Sequence, residues 1–461
     1  MSIAIESETT SRIDPVVPHS QECRTEDIVG DDPGRKTQWQ TVLKYAGSLV
    51  GQSMISGSRF LTSILIGSFC GAAELGTYAL GFSVLMGFHC IQLSLISRPY
   101  TIYGNQVEGQ EKRELAGSIL VQFFIFGLLA TLSLSAIVAT QYWLNWQSSL
   151  TPVFLMLAVG TPFILLRDHA RQFCFAHLNV RHAVIVDFTS TVIHIGGVGW
   201  LAWTGRLSAV SALATTAVAS GIAGVVWLWL DRRAIRVVSS RVLSDFRRQW
   251  VIGKWDCASE ITFTSQIYGM TWLLAFTLDN TSVGIYSACM MGIQVLNPFL
   301  LGINSVLVPR TARKFSAEGF KGMHALVRQT TFFLGGVTAF AACLTAIWGP
   351  AALEFLYRGQ GFEIPVLVVT ALACGVVVEV VGIGPENGLW AMERHDFKFR
   401  VEVAGAIATL ISAFTLISAF GVLGAALSFL IGRVVTTVAH WIAYCYATTS
   451  LTWKMPTTVP E

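Results

Sequence analysis

The chain has 461 residues, of which 53% are hydrophobic and 13% charged, with a net charge of +3. This is too apolar for a soluble enzyme of ordinary composition, and so small a charge gives no support to a nucleic-acid partner. The sequence reads as an all-α polytopic membrane protein, in which the placement of the basic residues says more than their sum.

Residues 1–40 mix both charges with Pro and Gly and have no apolar periodicity. They read as a disordered cytoplasmic tail and not as a signal peptide, because a basic segment followed by an apolar one is missing. Twelve apolar runs follow, at 46–69, 78–98, 117–138, 151–166, 184–203, 208–230, 257–277, 283–308, 328–347, 365–384, 401–419 and 424–446. Typical runs of about 20 residues are long enough to cross the hydrocarbon as helices. Of the 31 Lys and Arg residues, 27 fall on the side of the N-terminal tail, and only Arg206 and Arg358 fall on the other. That asymmetry predicts a multi-pass topology with both termini in the cytoplasm.

The basic stretch 231–254 follows the sixth run and reads as a linker between an N-terminal lobe at 41–230 and a C-terminal lobe at 255–447, with a tail at 448–461. Its basic residues suit topology fixation and contact with anionic headgroups. Six is an even number, so both lobes enter the membrane in the same direction, which predicts a pseudo-twofold axis along the membrane normal. Internal repetition supports this. Leu75-Gly76-Thr77-Tyr78 matches Val283-Gly284-Ile285-Tyr286, and Gly127 aligns with Gly335.

The segments SGSRFLTSILIGSFCGAAELGTYALGFS, LEFLYRGQGFEIPVLVVTALA, GLWAMERHDFKFRVEVAGAIATL and AFGVLGAALSFLIGR resemble the polysaccharide-biosynthesis flippases. These form the lipid-linked oligosaccharide branch of the multidrug/oligosaccharidyl-lipid/polysaccharide exporter superfamily. The resemblance covers nearly all of residues 45–447. It implies a two-lobed bundle of twelve helices around a central cavity. It also implies transfer of a polyprenyl-diphosphate-linked oligosaccharide from the cytoplasmic to the outer leaflet of a bacterial inner membrane by alternating access, for surface polysaccharide synthesis.

An ionisable group inside a bilayer calls for a partner or a wet cavity. Gln52, Ser56, Arg59 and Ser63 share one face of the first run, and Arg433 lies about halfway along the twelfth. A guanidinium presents a planar fork that suits a diphosphate, so Arg59, with Arg433, Gln52 and Ser56, forms the expected substrate-binding set. Pairing of Arg59 with an acid, Glu260 across the lobes above all, is the competing reading. Glu260, Glu379 and Asp187 are the expected ion-coupling carboxylates, with H+ or Na+ as the coupling ion. Interfacial pairing with Arg181 or Arg400 is the alternative for Asp187 and Glu402.

The segment RDHARQFCFAHLNVRH, with His169, Cys174, His177 and His182, matches no zinc spacing and reads as a cytoplasmic loop. No metal, cofactor or nucleotide site is expected, and the partners are the lipid-linked substrate and membrane lipids. Two alternatives stay open: a drug or small-cation exporter of the same superfamily, against which a central arginine argues, and a membrane glycan polymerase. The short outer loops do not favour the polymerase.

Overall fold

The computed structural model describes residues 33–104, 106–294, 297–357, 362–392 and 394–452. The expected tails lie outside the described residues up to residue 32 and beyond residue 452. Among the described residues all regular structure is helical. The first half comprises α1 (Pro33–Cys70), α2 (Ala72–Gln92), a π-helical turn (Leu93–Ser97), α3 (Arg98–Gly104), α4 (Gly109–Trp143), α5 (Thr151–Ala176), α6 (Val180–Trp203) and α7 (Ala209–Asp231). The second comprises α8 (Val242–Thr277), α9 (Asn280–Gln294), α10 (Asn297–Leu356), α11 (Val366–Ala391), α12 (His395–Phe420) and α13 (Val422–Thr452).

Nine helical stretches among the described residues are long and apolar enough to cross a membrane. The other three predicted spans correspond to α1, α8 and the run from α9 into α10. α1 and α8 carry the polar stripes seen in the sequence, which dilute their hydropathy. The protein is an all-α multi-pass membrane protein of two six-helix lobes.

Several boundaries differ from the sequence expectation for clear physical reasons. α5 continues to Ala176 and α8 already begins at Val242, so much of the predicted loop and linker is helix. α10 joins the eighth and ninth predicted spans, broken at Gly319, whose φ of 62° only glycine adopts without strain. Beyond α2, Pro99 has no N–H to offer the carbonyl four residues back, and the helix answers with the π-helical turn. That turn re-aims the next residue, Arg98.

The lobes meet through α2 on one side and α8 and α9 on the other. The matched tetrapeptides form the contact. A side chain on Gly76 would run into the Asn280 carbonyl, and one on Gly284 into the Ala72 carbonyl. The two close approaches are reciprocal, as a twofold relation requires. The same relation holds elsewhere: Gly127 faces Pro162 on α5, and Gly335 faces Val381 on the equivalent α11, each at 3.5 Å from the position a Cβ would take.

The buried core also records the lobe geometry. At the end where α1 turns into α2, one apolar cluster runs through both lobes, from Leu75 and Tyr78 to Met270, Val283, Val369 and Phe429. At the end that carries the linker, the core divides. Tyr100, Phe123, Phe173 and Trp227 belong to an N-lobe cluster, and Met323, Leu389 and Tyr444 to a separate C-lobe cluster. The buried apolar core is continuous between the lobes at the first end, whereas at the linker end α8 approaches the π-helical turn, α3 and α4 without a shared core cluster among the described residues.

Candidate functional site

The N-lobe interior holds a network of charges. On α5, Arg167 bonds its neighbour Asp168, which also meets His89 Nδ1 of α2 at 3.0 Å. One turn further along α5, Arg171 reaches Asp187 Oδ2 of α6 at 3.1 Å and donates to Gln52 Oε1 of α1 at 2.9 Å. Asp187 is 1% exposed, and Gly51 leaves the space its carboxylate fills. On the same lobe, His194 of α6 is held between Thr62 at 2.8 Å and Thr216 at 3.3 Å.

Arg59 stands apart from these pairs. Its guanidinium lies over the Phe82 ring, 5.0 Å from the centroid, and Arg167 and Asp168 act on it electrostatically. Among the described residues it has no ion-pair partner. Phe82 packs on Tyr78 and, across the lobe boundary, edge-on to Tyr268, each with centroids 6.2 Å apart. Arg59 is therefore seated on an aromatic wall between the lobes. Ser56 is half-buried on the same helix face and makes none of these bonds.

The C-lobe interior has the opposite balance. Arg433 is 4% exposed, lies over Phe263 and Phe429 at 5.3 and 5.1 Å, and pairs with Glu379 at 3.4 Å. Glu402, 5% exposed, accepts a hydrogen bond from Gln266 Nε2 at 2.9 Å. Asp256 and Glu260 of α8 turn to the other lobe, where Arg98 holds them at 2.8 and 2.9 Å. A second bond between the lobes runs from Trp272 Nε1 to Ser83 Oγ at 2.8 Å.

Two voids lie on this boundary. One is small, about 50 Å³, and is lined by Ser63, Tyr78, Phe82, Tyr268 and Tyr286 among others. The other is a cleft of about 430 Å³ between α2 and α8, lined mainly by apolar atoms and including Phe88, Ile91, Ile261, Tyr268 and Trp272. Tyr268 lines both voids. Arg59 lines neither void and adjoins them through Phe82, which lines the smaller one, and Tyr268, which packs on Phe82.

Several sequence expectations need correction. Glu260 pairs with Arg98 and not with Arg59, because the π-helical turn brings Arg98 onto α8. Asp187 pairs with Arg171 and not with Arg181. Glu402 bonds Gln266 and not Arg400. Arg433 and Glu379, expected in separate roles, form one pair. The segment read as a cytoplasmic loop carries Arg167, Asp168 and Arg171 on the buried end of α5. The signal that identifies them is the run FCFA that follows: apolar residues resume after the charges, as they do when a helix continues.

No family model matches the sequence, and no curated protein matches it. Solved structures do match by shape. A multidrug resistance MATE family transporter of the MOP superfamily, in an inward-facing conformation, superposes with a TM-score of 0.73 at 13% identity, covering 87% of this chain and 96% of that one. The outward-facing conformation of such a transporter gives 0.62 at 12% identity, with coverages of 90% and 96%. The Vibrio cholerae MATE transporter VcmN in its bent form gives 0.60 at 16%, with coverages of 92% and 99%. The fold is that of the MATE transporters of the MOP superfamily. Within that fold, Arg59 sits at the lobe boundary over the Phe82 ring, with no ion-pair partner among the described residues.

Proposed function

We propose that the protein is an alternating-access flippase for a polyprenyl-diphosphate-linked oligosaccharide, acting in the inner membrane with both termini cytoplasmic. The observation that carries this reading is Arg59. Both carboxylates of the N-lobe network are engaged by Arg167 and Arg171, so Arg59 offers its charge to a ligand. A guanidinium fork receives a diphosphate through two parallel hydrogen bonds, with Gln52 and Ser56 along the same helix. The apolar cleft between α2 and α8 supplies a side exit for the lipid tail. Pulling such a tail out of the bilayer would cost about 0.8 kcal/mol per CH₂, so the tail stays in lipid while the headgroup crosses. Glu260, Glu379 and Asp187 are the proposed ion-responsive groups, each now tied to an arginine whose release would accompany protonation. Arg433 acts as the second anchor when Glu379 lets go.

The matching structures include multidrug transporters, and the C-lobe carries more carboxylates than arginines. Those two observations favour export of a cationic drug as the second reading. Leaflet-resolved measurement of lipid-linked oligosaccharides in cells with and without the gene separates the two. The flippase reading expects these intermediates to accumulate on the cytoplasmic face of the deletion strain. An unchanged distribution together with new sensitivity to cationic drugs would replace it with the drug-export reading.

A further inference from the structure

A third cavity lies away from the lobe boundary, at the end of the N-lobe that carries the linker. It measures about 280 Å³ and is lined by Gly109, Lys112 and Arg113 of α4, His177 at the end of α5, and Arg233 and Ala234 after α7. Four of the six lining residues carry basic side chains, and none is acidic.

The acids around it are engaged elsewhere. Glu114 meets Arg241 at 3.0 Å and Arg236 at 3.8 Å, Glu111 meets Arg241 at 3.4 Å, and Asp231 meets His182 at 3.0 Å. Glu108 flanks the cavity without lining it. Lys112, Arg113 and Arg233 make no ion pair among the described residues. Like charges gathered around a concave surface repel one another, and an anion in the hollow relieves that repulsion.

The walls are fixed before any ligand arrives. His177 Nδ1 donates to the Phe173 carbonyl at 3.1 Å, and its ring stacks on Phe173 with centroids 4.1 Å apart. Arg236 N–H donates to the Arg113 carbonyl at 2.9 Å, tying the segment after α7 to the start of α4. Lys112 and His177 are half-buried, whereas Arg113 and Arg233 are exposed at the rim. Lys112 inside the hollow and Arg113 and Arg233 at its mouth give cationic donors from three directions to a tetrahedral oxyanion, while His177, its one ring proton held by the Phe173 carbonyl, shapes the wall.

We propose that this cavity is a phosphate-binding site, filled by the phosphate of an anionic lipid headgroup or by free phosphate. Basic pockets at the cytoplasmic ends of membrane helices offer the same chemistry to either source. The site is separate from the transport path at Arg59 and stands whether or not the flippase reading holds.

The test uses the full-length protein in detergent micelles, titrated with phosphatidylglycerol, phosphatidylcholine or inorganic phosphate at constant ionic strength, with thermal unfolding as the readout. The wild type is expected to gain stability saturably with phosphatidylglycerol, inorganic phosphate or both, and not with phosphatidylcholine. Each of Lys112→Gln, Arg113→Gln and Arg233→Gln should weaken half-saturation roughly fivefold, as loss of one near-surface cation does. Arg236→Gln, outside the lining, should leave it unchanged. A response to phosphatidylglycerol alone assigns the headgroup, and one to inorganic phosphate assigns the free ion. The proposal is overturned if the wild type responds to neither, or if the three lining variants titrate like the wild type. Arg233 is exposed, so its variant folds even if Lys112→Gln does not, and carries the test alone.

Discussion

In the N-lobe, two aspartates pair with two of three arginines and leave Arg59 over; in the C-lobe, one arginine stands with two glutamates, and two further acids of α8 face the N-lobe. The lobes repeat one helical plan, yet their interiors carry opposite residual charge. Arg98 spans the gap between them and binds both α8 acids. The comparison teaches that duplication conserved the scaffold while the charges diverged. The ion pairs of Arg98 between the lobes follow from this asymmetry, whereas the Trp272–Ser83 bond joins neutral groups.

The largest expected effect comes from unbalancing the N-lobe network. Asp168→Asn leaves Arg167 charged and buried without its carboxylate, which costs about 3–5 kcal/mol. Thermal unfolding in detergent should show the loss, and an unchanged midpoint would mean that water already solvates Arg167. Next comes Arg59→Ala, which removes the guanidinium proposed to anchor the substrate and should lower export at least ~10-fold while membrane insertion stays normal. Export at the wild-type rate would remove Arg59 from the anchor role. Arg98→Gln is smaller, because its pairs are partly exposed and are worth at most about 1 kcal/mol each. Spin-label distances between the linker ends of α3 and α8 should widen, and identical distances would show that apolar packing alone holds the lobes there. The smallest effect belongs to Glu402→Gln, which keeps an acceptor for Gln266 and should change stability by less than about 1 kcal/mol. A large loss would mean that the C-lobe needs the negative charge itself.

The helical plan was open to reading from the sequence because apolar runs and the basic-residue asymmetry are local or additive signals. The tetrapeptides around Gly76 and Gly284 were visible as a repeat, and the structure gives the reason: each lets the other lobe's backbone approach. The candidate site was less legible. Arg59 and Arg433 stood out as charges in apolar runs, but their surroundings depend on residues far along the chain. Glu260 lies four residues after Asp256, which a helix reading handles; its partner Arg98 arrives only through a π-helical turn that no spacing rule predicts. Arg167, Asp168 and Arg171 were hidden for a different reason. Three charges in five residues look like the end of a span, whereas here Asp168 takes up Arg167 and Asp187 of α6 takes up Arg171 inside the bundle.

The paired glycines set a limit on how the molecule can move. Their contact is backbone against backbone, so no side chain there can rearrange to absorb a displacement. Arg98 lies 22 residues beyond Gly76, about 33 Å along helix at 1.5 Å per residue. With the glycine contact as fulcrum, one degree of rotation shifts the far arm by about half an ångström at that length. A side chain added at the fulcrum would have to be met by a tilt of one lobe on the other, and every degree of that tilt is felt at Arg98.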